Sequence, residues 1–120
     1  MKFPVEIVLK GRDFAVTETL EIPHGDPASW QDDAVRDALI EILRAIDRAA
    51  NPNADADRQV ILRGFSWIVE PSGPGVVLAI EIPMGAAVAG PFAIRQQDFD
   101  TMISRVLRVV APRTASTTVH

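Results

Sequence analysis

The sequence contains no cysteine and no tyrosine, and only two histidines. Without cysteine there is no disulfide, no thiolate metal site and no cysteine nucleophile, an absence that accords with a reducing compartment. Histidine is confined to His24 and His120, and no HxH, HExxH or DxDxDG spacing occurs, so neither a metal centre nor a cofactor is expected. No GxSxG elbow is present, and the serines have no histidine beside them in a recognisable pattern. Basic residues are few as well: 12 Lys and Arg stand against 16 Asp and Glu, for a net charge of −4. They are scattered rather than gathered into the stripe that phosphate binding needs, so nucleic acid is not an expected partner.

Long apolar runs are also missing. The longest, Val76 to Ile94, is interrupted by Glu81, Pro83 and Pro91, and reads as a strand followed by a loop rather than a membrane span. The opening MKFPVEIVLK carries Glu6 inside its apolar stretch and lacks a small-residue cleavage site, which does not describe a signal peptide. A soluble, cytoplasmic protein is expected.

What is present suits one ordinary folding unit. A chain of 120 residues, 48% hydrophobic and 23% charged, buries roughly two-thirds of its unfolded surface without covalent staples. Phe3, Val5, Ile7 and Leu9 alternate with polar or small neighbours, as do Phe14, Val16, Leu20 and Ile22, and each set predicts a strand. Gly11-Arg12 between them predicts a type II′ hairpin turn, because glycine at the first central position permits positive φ. The register then sets Leu9 opposite Phe14 and Ile7 opposite Val16.

Pro23 ends the second strand. A helix follows, started either at Asp26-Pro27 or one turn later at Ser29 to Asp32. Its apolar stripe is Val35, Leu39, Ile42, Leu43 and Ile46, and Asn51-Pro52-Asn53 stops it. Arg58 to Glu70 predicts a third strand with a bulge at Gly64, where the apolar parity switches. After the turn Pro71 to Gly75, Val76, Leu78, Ile80 and Ile82 form a fourth strand, ended by Pro83. Gly85 to Pro91 reads as a small-residue loop that matches no phosphate-binding fingerprint. A second helix begins near Arg95, and Pro112 closes it.

Short segments recur in order. IVLKG (7–11) resembles VILRG (60–64), EIPHG (21–25) resembles EIPMG (81–85), and the first helical stripe recurs as Phe99, Ile103, Val106, Leu107 and Val110. The expected fold is therefore α+β, a two-layer sandwich in ββαββα order. A mostly antiparallel four-stranded sheet carries both helices on one face, with a possible internal duplication into halves 1–50 and 58–111. Residues 1–111 form the domain and 112–120 a flexible tail. An alternative, ββαββ plus a C-terminal helix, is similar to the ubiquitin-like β-grasp in element order alone.

Four residues are candidates for function. Glu18 falls on the apolar face of the second strand. There a desolvated carboxylate would suit acid–base work, an inward charge would guard an edge strand, and a bulge at Thr17 would turn it outward. His24 and Asp26, just past the strand end, could offer two metal ligands, which by themselves do not make a site. Trp30, at the helix start, reads either as a contact residue or as a staple holding the helix to the sheet. Trp67 shares parity with Phe65 and Val69 and belongs to the core.

These features support two functional readings. The first is a non-catalytic interaction or self-associating module, a homodimer or a protein that docks on a partner. It rests on a second sheet face carrying Val8, Ala15, Val77 and Ala79 among Thr17, Thr19, Glu6, Glu21 and Glu81. The alternative is a small-molecule binder or enzyme with a pocket between sheet and helices and Glu18 or His24 as its polar group.

Overall fold

The computed structural model describes residues 1–53 and 60–110. β1 (Lys2–Leu9) buries Phe3, Val5, Ile7 and Leu9 and exposes Lys2, Pro4, Glu6 and Val8, the period-two pattern of a half-covered strand. It pairs antiparallel with β2 (Ala15–Glu21) in the expected register, Ile7 opposite Val16 and Val5 opposite Glu18. The turn differs from expectation. The Arg12 amide donates to the Leu9 carbonyl at 3.1 Å and Gly11 has φ of 85°, so glycine is the second central residue rather than the first. Phe14 consequently lies in the loop and is 56% exposed instead of packing inward.

Both helix-start signals are used. Asp26-Pro27 opens a single 3-10 turn, Pro27–Ser29, with proline at the first position, where no N–H is needed. Helix α1 (Asp32–Ala50) then begins after Gln31, whose carbonyl accepts the Ala34 and Val35 amides. Asp32 and Asp33 sit in its first turn, where the helix dipole favours negative charge. The expected stripe, Val35 to Ile46, is buried, and Ala34, Ala38 and Ala45 widen it.

The second half departs further from expectation. β3 (Ser66–Ser72) begins at Ser66 rather than Arg58. Residues 58 and 59 lie outside the described residues. Residues 60–65 form an irregular segment in which Leu62 packs on the core and Gly64 has φ of 79°. The parity switch at Gly64 therefore marks the approach to a strand, not a bulge within one. β4 (Gly75–Ile82) follows across Gly73-Pro74, a two-residue turn with Gly73 at positive φ in the first central position.

The largest correction is the expected loop Gly85 to Pro91, which belongs to strand β5 (Gly85–Phe92). It occupies the middle of a five-stranded, wholly antiparallel sheet in the order β2-β1-β5-β4-β3. Small residues suit that position. Ala87 and Ala89 point inward and are almost fully buried, so the helical layer approaches closely over the sheet centre. Gly85 lies against β1 so tightly that a Cβ there would sit 2.5 Å from the Val8 carbonyl oxygen. At the far end the β4–β5 register shifts by one beside Gly90, whose φ is 111°.

Neither the four-stranded ββαββα order nor ββαββ plus a helix is therefore found; the order is ββαβββα. The paired segments diverge in role. EIPHG leaves the sheet toward α1, whereas EIPMG is a hairpin turn with Ile82 opposite Gly85. IVLKG closes β1, whereas VILRG precedes β3. Only the helical stripes correspond: in α2 (Gln96–Val110), Phe99, Ile103 and Val106 are buried. The closure at Pro112 and the tail lie outside the described residues.

Both helices cover one face of the sheet. α1 lies over β2, β1 and β5, α2 lies toward β3, and the helices touch each other. Inward residues from every strand join them in one apolar cluster, with no buried polar or charged residue among those described. Phe3, Trp30, Phe92 and Phe99 form its aromatic centre, with ring centroids 5.1 to 6.2 Å apart in tilted or edge-on arrangements.

Candidate functional site

Among the described residues nothing covers the face of the sheet away from the helices. The strand register places its residues in rows. One runs Thr17, Glu6, Val88, Ala79, Ile68 from β2 to β3, and the next runs Ala15, Val8, Ala86, Glu81, Ser66. A further row contains Thr19, Pro4, Val77 and Glu70. The middle of this face is thus apolar and made of small or β-branched side chains, while carboxylates stand within and around it. Three of the exposed large apolar residues, Val8, Ile68 and Val88, belong to it, at 45%, 53% and 42% exposure. With strands spaced about 4.8 Å and rising about 3.3 Å per residue, the face measures roughly 500 Å² in projection. Val8, Ala15, Val77 and Ala79, named from sequence, all lie on it; Ala86 and Val88 were missed because their strand was expected as a loop, and Ile68, opposite in parity to Trp67 and Val69, was not singled out.

Each sheet edge carries a feature that disfavours pairing with another strand. On β3, the Gln96 side chain donates to the Val69 carbonyl at 2.9 Å, and Pro71 has no N–H to offer. On β2, Glu18 points inward as the register requires, and its carboxylate is engaged by Arg48 from the last turn of α1. Its side chain is one-third exposed. The apolar surroundings expected for acid–base work are therefore replaced by a solvated ion pair at the sheet edge.

The remaining candidates do not converge. His24 donates from Nε2 to Asp37 Oδ2 at 2.8 Å, tying the strand-to-helix segment to α1 rather than meeting Asp26. Among the described residues no third His, Cys, Asp or Glu joins this pair to make a metal-sized group. Asp26 is exposed; its carbonyl accepts the Ser29 amide and hydroxyl, both at 2.9 Å. Trp30 is buried, packs on Phe92 and Phe99, and donates its indole N–H to the Gly25 carbonyl at 2.9 Å. It is the staple of the two alternatives.

Among the described residues two clefts lie at the β4–β5 turn end of the sheet, and neither is lined by Glu18 or His24. The larger, about 730 Å³, is open and bounded by Val8, Lys10, Phe65, Glu81, Ile82 and Ala86, so it continues the uncovered face. The smaller, about 250 Å³, lies beside Leu43, Asp47, Ile61, Arg63 and Pro83. Arg105 of α2 grips Asp32 of α1 through two hydrogen bonds of 2.7 and 2.8 Å. This bond holds the Asp32 carboxyl below its ordinary range, with the guanidinium charge adding to the effect. Among the described residues no helix is long and apolar enough to cross a membrane. Comparison with known protein families, curated proteins and solved structures finds no match to this chain.

Proposed function

We propose that this protein is a non-catalytic interaction module whose docking surface is the uncovered face of its sheet, taking either a second copy or a different protein. The observation that carries the reading is asymmetry between the two faces. One is sealed by helices over a wholly apolar interior; the other leaves Val8, Val77, Ala79, Ala86, Val88 and Ile68 contiguous and in contact with solvent. Two partners covering roughly 500 Å² each reach the lower bound of about 1,000 Å² for a specific interface. A sheet face of small side chains suits a second sheet as partner, as in sheet-on-sheet packing.

The test is a photo-crosslinking amino acid placed at Ile68 or Val88, compared with one at Arg44 on the solvent side of α1, in the cells that make the protein. A discrete adduct is expected from the two sheet positions and not from Arg44. Its mass, twice that of the chain or another defined value, reports the occupant. Adduct patterns that do not depend on position would overturn the proposal.

A further inference from the structure

Resting on that reading, we infer that the uncovered face receives a different, basic protein surface rather than a second copy of this chain. The face carries Glu6, Glu21, Glu70 and Glu81 against two cations at its margin, Lys2 directly opposite Glu21 and Lys10 on the wall of the larger cleft. Glu6, Glu70 and Glu81 form no ion pair among the described residues. Three carboxylates thus border an apolar centre without an ion-pair partner, and neither lysine at the margin engages them.

Self-association handles them badly. A two-fold axis along β5 would lay Glu6 over Ala79 and Glu81 over Val8 of the other copy. An axis across the strands through Val88 would lay Glu6 over Glu6. Either arrangement takes Glu6 out of water with no cation opposite it, which is costly. The net charge of −4 adds a general repulsion between copies. A surface with lysine or arginine facing these positions has the opposite balance: the apolar centres meet and each carboxylate gains a cation. The larger cleft adds an anchor point. Glu81 stands on its wall beside Val8, Phe65 and Ile82, so the stem of a long basic side chain can lie on the apolar residues with its charge at Glu81.

The probe is a short β-hairpin peptide with valines on one face and lysines along both flanks, alongside a version with glutamine in place of lysine. Binding to the intact protein is followed by NMR titration at low and physiological salt, with sedimentation velocity of the protein alone at micromolar concentration. A monomer is expected. The lysine peptide should shift Val88, Ala79 and Ile68, and binding should weaken with salt. It should also be about tenfold weaker for the Glu6→Gln/Glu70→Gln/Glu81→Gln variant, and similarly for the glutamine peptide. These three glutamates are exposed, so a far-UV spectrum and melting curve suffice to confirm that the variant folds. Absence of binding, shifts confined to the helices, or equal affinity for the triple variant would overturn the inference. A dimer formed through this face would also overturn it while leaving the docking surface in place; crosslinking that does not depend on position would remove both.

Discussion

Replacing Trp30 separates a structural residue from a contact residue, because the two roles predict opposite results. Its indole fills the interface between α1 and the sheet, against Phe92 at 5.3 Å and Phe99 at 6.2 Å, and is 4% exposed. Trp30→Ala leaves that volume empty at the aromatic centre, a change that costs about 3–5 kcal/mol in packed cores. Against a domain stability of about 5–15 kcal/mol, this is a loss of roughly 12–20 °C in melting temperature. Trp30→Phe keeps most of the ring but removes the indole N–H and leaves the Gly25 carbonyl unpartnered, a further effect of about 1 kcal/mol beyond the lost volume. The order wild type, Trp30→Phe, Trp30→Ala should therefore appear in urea unfolding followed by far-UV circular dichroism, a signal that does not depend on the tryptophan itself. A double cycle with Phe92→Ala should reveal coupling of about 0.5–1.5 kcal/mol from the ring pair. If Trp30→Ala shifts stability by less than about 1 kcal/mol, the aromatic centre is not what holds α1 to the sheet, and the fold's interior has been misassigned.

Glu18→Gln should leave the melting curve within about 1 kcal/mol of wild type, because its ion pair with Arg48 is solvated on both sides; a loss above about 2 kcal/mol would show that the inward charge is desolvated after all. Asp32 gives a pH prediction. Its folded-state carboxyl is held below the ordinary value of 3.8, first by the Arg105 hydrogen bond, so the stabilisation is complete above that value and fades as pH falls through the lowered one. Melting temperature measured below pH 3.8 should therefore fall more steeply for wild type than for Asp32→Asn, and parallel acid limbs would refute the linkage.

The parts of the fold legible in sequence are those with contrast between neighbours. β1 and β2 alternate apolar with polar residues, and their register emerged directly even though the turn slipped by a residue. The helical stripes were equally plain. β5 was invisible because its alternation runs between alanine and alanine or valine: Ala87 and Ala89 face in, Ala86 and Val88 face out, and no hydropathy difference marks the faces. Its β structure comes from neighbours on both sides, which is what strand preference measures at a sheet centre. Proline misled in the same region, since Pro23 truly leaves the sheet while Pro83 is the corner of a hairpin. The same local grammar, strand then Ile-Pro, has two outcomes decided by the residues downstream, a capping Asp26-Pro27 in one case and small apolar residues in the other. Glu18 shows the limit for sites: its inward direction was readable, but Arg48, thirty positions away, was not.

The strand order has a consequence for how the molecule is made. β1, near the start of the chain, has β2 on one side and β5 on the other, so its second row of hydrogen-bonding groups stays open until residues 85–92 have been synthesised. The early hairpin and α1 can assemble as a unit with one raw flank, yet within the sheet this hairpin joins the three-stranded β3-β4-β5 meander only at the β1–β5 seam. The entropy of closing that long loop is lost before the β1–β5 contacts form, and until closure the open flank of β1 is exposed to pairing with a wrong strand.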